Sequence, residues 1–286
     1  MAAGHVPLLP STVIPIIAPT RIGPRASHFP SALAALRADW PLYLMEAAEL
    51  AAFMLSACAC TVLLFHPASP LIHLTPATRR VLMGLAMAAT AVAIIKSPWG
   101  QRSGAHFNPA ITLTFFRLGK IGPYDATFYV IAHFVGAVGG VGLAALLLGP
   151  RLAVPQVDYA VTVPGIGGPL AAFAAETFMA ALLMTTVLIT SNRPRLARWT
   201  TWLVGLLICS YIIVFAPISG FSINPARTTG SAVFAHLWTS GWIYFTAPLL
   251  GMLGAAEGYV RASNRRALPY FSHRHLQQRT PGDRQL

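Results

Sequence analysis

Two Asn-Pro-Ala tripeptides, Asn108-Pro109-Ala110 and Asn224-Pro225-Ala226, stand in matching surroundings, each four residues after a Ser-Gly bend at Ser103-Gly104 and Ser219-Gly220. Asparagine is a strong helix N-cap, and proline suits the first helical turn because the N–H it lacks would be unpaired there. Each tripeptide therefore reads as a helix start, with free backbone N–H groups and the positive end of a helix dipole. Few other groups could do chemistry. Arg227 follows the second motif directly, His106 precedes Asn108 by two residues, and Glu49 and Glu176 lie in apolar runs. The set is rich in donors aimed at something polar. No Ser/His, Asp/Asp or His-x-x-x-His arrangement supports an enzyme, so no catalytic residue is expected. Cys58, Cys60 and Cys209 all fall in apolar runs without metal-ligand spacing and read as packing residues. No metal or cofactor is expected.

The elements that must position these groups are membrane spans. Of 286 residues, 55% are hydrophobic and only 10% charged, against about a quarter charged in soluble domains; the mean hydropathy is +0.61. Apolar segments over about 40–64, 79–97, 124–148, 170–190, 199–218 and 241–261 each approach the roughly twenty residues of a helical span. Stretches 108–117 and 224–235 start at the two motifs and are too short to cross, which suits re-entrant half-helices. The formal net charge is +12, but the basic residues lie in tails and between apolar runs rather than on one face, so nucleic acid is not an expected partner. Of the twenty lysines and arginines, all but Arg79, Arg80, Arg151 and Arg227 fall in cytoplasmic segments if the N-terminus is inside. That bias places both termini in the cytoplasm. The pair Arg79–Arg80 runs against it.

The two halves repeat. Asn224 follows Asn108 by 116 positions (224 − 108), and Tyr129-x-x-Ala132-x-x-x-Gly136-x-x-Gly139 recurs as Tyr244-x-x-Ala247-x-x-x-Gly251-x-x-Gly254. Glu49 and Glu176 form a third pair, at a longer offset that implies extra loop residues around Lys96–Gln101. Three spans per half is an odd number, so the halves are inverted, an architecture of transport. The expected organisation is a disordered cytoplasmic tail over 1–38, a domain over 39–261 with repeats at about 40–148 and 170–261, and a basic cytoplasmic tail over 262–286.

Over roughly residues 40–261 the chain resembles the aquaporin, or major intrinsic protein, superfamily. The resemblance rests on both Asn-Pro-Ala motifs, Ser103-Gly104-Ala105-His106 before the first, Arg227 after the second, Ala48-Glu49 and Ala175-Glu176 in the first and fourth spans, and the tyrosine–glycine pattern of the third. It implies an all-α membrane fold of six transmembrane helices with two re-entrant half-helices, assembled as a homotetramer in a cell membrane. It also implies a passive channel for water or small neutral solutes that excludes protons and ions. Asn108 and Asn224 would point N–H donors into the pore, and Arg227 would be the selectivity-filter arginine. Glu49, Glu176 and His106 would hold the re-entrant loops. Glu46, one turn earlier, is close enough to an interface for solvation to suffice. His133 reads as a buried hydrogen-bonding residue.

Counting from Asn224, the fifth-span filter position falls on Ile212 and the position after Ser219-Gly220 on Phe221. The second-span position falls on Leu82, with Met83 and Leu85 the other candidates. Three apolar walls and one donor favour small neutral solutes with some apolar surface over a strict water file, unless the bulk of Ile212 and Phe221 narrows the aperture. Two rival classes remain: a secondary transporter, which would need ionisable coupling residues at the midplane, and a low-flux structural membrane protein.

Overall fold

The computed structural model describes residues 29–264. Ser31 caps the first helix, α1 (Ala32–Phe65), its side chain accepting from the Ala34 N–H. The helix thus begins within the tail expected over residues 1–38. The run after Ser31 is rich in alanine and leucine and so favours helix, but Arg37 and Asp39 interrupt the apolarity by which a span is recognised. The rest of that tail, and the basic tail from residue 265, lie outside the described residues.

Proline at the first or second position starts most of the helices that follow: α2 (Pro76–Lys96), the short α3 (Pro98–Ser103), α4 (Pro109–Arg117), α5 (Pro123–Leu148), α6 (Gly168–Ser191), α7 (Pro194–Ala197) and α9 (Pro225–Ala235). Between α7 and α9 runs α8 (Thr200–Ser219), and α10 (Trp242–Asn264) is the last helix described. The extra residues expected near Lys96 form α3, folded back so that a Cβ on Gly100 would stand 2.2 Å from the Ile94 carbonyl oxygen. Among the described residues five helices, α1, α2, α5, α6 and α8, are long and apolar enough to cross a membrane. With 23 residues, α10 is about 35 Å long, which is length enough to cross.

Helix pairing follows the repeat. The helix α1 packs on α5 as α6 packs on α10, while α2 crosses α8 between the halves. Each half-helix also touches the other half, α4 against α10 and α9 against α5. Small residues permit the closest approaches. A Cβ on Gly136 of α5 would sit 2.1 Å from the Ala47 carbonyl oxygen of α1, and one on the matching Gly251 of α10 would sit 2.3 Å from that of Thr177 on α6. Large apolar side chains such as Leu146, Leu170 and Leu206 are left exposed on the perimeter, where lipid tails take the place of water.

Candidate functional site

Each half-helix is approached through a loop of unusual backbone, and the two loops match residue for residue. Gly104 and Gly220 have φ of 104° and 76°, and the non-glycine residues Ala105, Phe107, Phe221 and Ile223 also have positive φ. Such conformations cost about 1–3 kcal/mol each and persist only where surroundings over-determine them. Buried carboxylates do so here. Glu176 accepts from the N–H of Ser222 at 2.9 Å, the N–H of Ile223 at 2.5 Å and the hydroxyl of Ser219 at 2.7 Å. In the first half the same two backbone donors, His106 N–H at 3.0 Å and Phe107 N–H at 2.6 Å, go to Glu46 and not to Glu49.

Glu46 is therefore the counterpart of Glu176, which corrects the pairing expected from the sequence and the idea that solvation suffices for Glu46. Its side chain is fully buried, and its second oxygen also contacts Nε2 of His133 at 2.8 Å. Glu49 keeps only the Ser103 hydroxyl, at 2.9 Å, and its other oxygen has no partner. What one acid does in the second half is thus divided between two in the first. Tyrosines complete both clamps: Tyr129 donates to the Ser103 carbonyl and Tyr244 to that of Ser219, each at 2.7 Å. His106 contributes its backbone N–H to Glu46 while its ring contacts Thr112 at 2.9 Å and stacks on Phe115.

The two loops meet through the motif asparagines. Asn108 caps α4 by accepting from the Ala110 N–H, and Asn224 caps α9 by accepting from those of Ala226 and Arg227. Each amide also donates across the repeat, Asn108 to the Ile223 carbonyl and Asn224 to the Phe107 carbonyl, both at 2.8 Å. An amide has two N–H donors. One of each pair is spent in joining the halves, so a single N–H per asparagine is left for anything passing by. The positive ends of α4 and α9 converge at this junction, beside Pro109, Ala110, Pro225 and Ala226, which are all buried.

Two cavities adjoin it. One, of about 260 Å³, lies on the side of the loop 156–161 and is lined by Met83, Met87, Ile212, Phe221 and Arg227 among others. The second, of about 70 Å³, contains both asparagines in a wall of apolar residues including Ile95, Leu183, Val187 and Ile208. Phe53, Phe221 and Arg227 line both cavities and so form the partition between them. Ile212, Phe221 and Arg227 all line the larger cavity. Leu82 does not. It stands on the exposed perimeter, 36% accessible, as does Leu85 at 55%, and Met83 lines the cavity instead. Gly84 is the reason: it faces α8, where a Cβ would stand 2.9 Å from the Cys209 carbonyl oxygen, and that contact sets the rotation of α2.

Phe53 was not singled out from the sequence. Its signal was its place two turns after Glu46 on one face of α1, visible only once Glu46 is known to face the loop.

The sequence profile described as "Major intrinsic protein" matches residues 44–259, which takes in all of these side chains. The chain belongs to the major intrinsic protein family. Among its relatives, "Probable aquaporin NIP-type" of Nicotiana alata is 35% identical over 161 residues, or 56% of this chain, and the match spans only 58% of that relative's length. "Glycerol uptake facilitator protein-like 6" of Lactiplantibacillus plantarum is 34% identical over 189 residues, covering 60% of this chain and 79% of the relative. An X-ray structure of the aquaglyceroporin from Plasmodium falciparum superposes with a TM-score of 0.64 at 19% identity, covering 76% of this chain and 93% of that one. The last likeness concerns the fold alone. Major intrinsic proteins are channels, and an integral, multi-pass membrane location follows from family and helices together.

Proposed function

We propose that the chain is a passive channel for water and small neutral solutes, excluding protons and ions, with Arg227, Ile212, Phe221 and Met83 as its filter. The observation that carries this reading is the partition of Phe53, Phe221 and Arg227 between two cavities, with the asparagine junction just beyond it. A solute crossing there meets one guanidinium among apolar walls, then two amide N–H groups at converging positive helix ends. Cations are repelled, and a water that accepts from both amides has no lone pair left to accept from the next water, which breaks the chain a proton would follow. A secondary transporter would need ionisable groups free to couple. Glu46 and Glu176 instead spend their oxygens on loop donors, and Glu49, which keeps one oxygen without a partner, lines neither cavity. The relative named as a glycerol uptake facilitator supports glycerol-sized solutes as the class to test first. The charge bias supports cytoplasmic termini, and the larger cavity then opens outward. A homotetramer is the assembly we expect, with each chain holding its own pore.

Stopped-flow light scattering of proteoliposomes tests the reading, with an impermeant osmolyte and with glycerol, against empty vesicles. Shrinkage or glycerol re-swelling at the rate of empty vesicles, from protein with native circular dichroism, would exclude both solutes. Phe221→Ala is expected to raise the glycerol rate several-fold, because it removes an apolar wall of the partition; an unchanged rate would remove Phe221 from the filter. Met83→Trp is expected to slow permeation while Leu82→Trp leaves it near wild type, since only Met83 faces the cavity. Equal slowing by both would reject the assignment of Met83.

A further inference from the structure

A second arginine lines the larger cavity. Arg80, at the start of α2, faces the same 260 Å³ space as Arg227, and no carboxylate is among the lining residues. Nε of Arg80 and Nη1 of Arg227 are buried nitrogens without a hydrogen-bond partner, and neither arginine forms an ion pair among the described residues. Two guanidinium groups around one cavity repel each other, and each carries donors in a fork that matches an oxyanion. The neighbouring Gln156 adds an amide to the same wall. Arg79 differs. Its Nη1 reaches the Leu64 carbonyl at 3.5 Å, its guanidinium stands over the Phe65 ring, and it does not line the cavity. Charge bias gives no reason for a basic pair at this end of the bundle, where arginines are under-represented.

We propose that Arg80 and Arg227 make this cavity a binding site for a small oxyanion, which obstructs the pore while it is bound. Phe53, Phe221 and Arg227 also line the smaller cavity that holds the asparagines, so an anion held in the larger cavity by the two arginines stands against the partition between the two spaces. The obstruction rests on the channel reading given above; the binding site does not.

The test uses sulfate as the probe, at fixed ionic strength with chloride as the replacement ion. Equilibrium dialysis of purified protein with radiolabelled sulfate is expected to find saturable binding near one per chain. R80Q should weaken it at least about tenfold, as the loss of a charge-assisted hydrogen bond does, and R79Q, with the same change of net charge, should leave it nearly unaltered. Absence of saturable binding, or equal weakening by R79Q and R80Q, would overturn the site. In proteoliposomes with sulfate on both sides, the osmotic water rate of the wild type should fall relative to chloride, and that of R80Q should not. Binding without any fall in the water rate would overturn the obstruction. Vesicles that pass no water even in chloride would count against the channel reading, and dialysis would still decide the site.

Discussion

Replacing Glu46 with alanine is expected to destabilise the protein by roughly 3–5 kcal/mol, the loss typical of removing one partner from a buried ionic and hydrogen-bonded group. Three donors face this carboxylate: the buried N–H of His106, the half-buried N–H of Phe107, and the buried ring of His133. Left without an acceptor, each costs about 1–3 kcal/mol. The loop between Ala105 and Phe107 would also lose what holds its positive φ angles. Glutamine is only a partial substitute, because its NH₂ group would oppose one of the donors. Glu49→Ala should cost far less, about 1 kcal/mol, since Glu49 accepts one hydroxyl and has an oxygen already without a partner. Thermal unfolding in detergent, followed by helical circular dichroism, separates the two. If Glu49→Ala lowered the midpoint as much as Glu46→Ala, the division of labour between the two acids would be wrong. Glu176→Ala is expected to behave like Glu46→Ala.

Gly136→Ala is expected to cost at least about 3 kcal/mol, at the upper end of what overpacking a close-packed interior costs. The added Cβ would stand 2.1 Å from a backbone oxygen of α1, which unlike a side chain has no rotamer to retreat into. The two helices would have to part, and α5 also carries Tyr129 to the Ser103 carbonyl and His133 to Glu46. Gly139, nearly one turn further on, has no neighbour within 4 Å of its would-be Cβ. Gly139→Ala should therefore be neutral, or stabilising by up to about 1 kcal/mol through helix propensity. Recovery of monodisperse protein and the unfolding midpoint measure both variants. A Gly136→Ala protein as stable as the wild type would mean that the α1–α5 contact is looser than described.

These cases show where the sequence can be read and where it cannot. Both glycines belong to a tyrosine–glycine pattern that repeats in the two halves, but the pattern does not say that Gly136 touches a backbone and Gly139 does not. The acids are similar. Glu46 and Glu49 lie three residues apart, about 60° around a helix at 100° per residue, so either could face the loop. Leu82 and Met83 lie about 100° apart, and the close approach of Gly84 to Cys209 on another helix decides which lines the cavity.

By itself the sequence determined the membrane setting, the inverted repeat, the start of each half-helix and the presence of Arg227 beside the second motif. These follow from local causes: asparagine caps, proline opens a first turn, and an apolar run long enough to span has few other places to go. Only the tertiary structure decided which acid clamps each loop, that each asparagine spends one N–H on the other half, and that Arg80 shares a cavity with Arg227. Those facts depend on the rotation and crossing of packed helices, which are set by contacts between residues far apart in the chain.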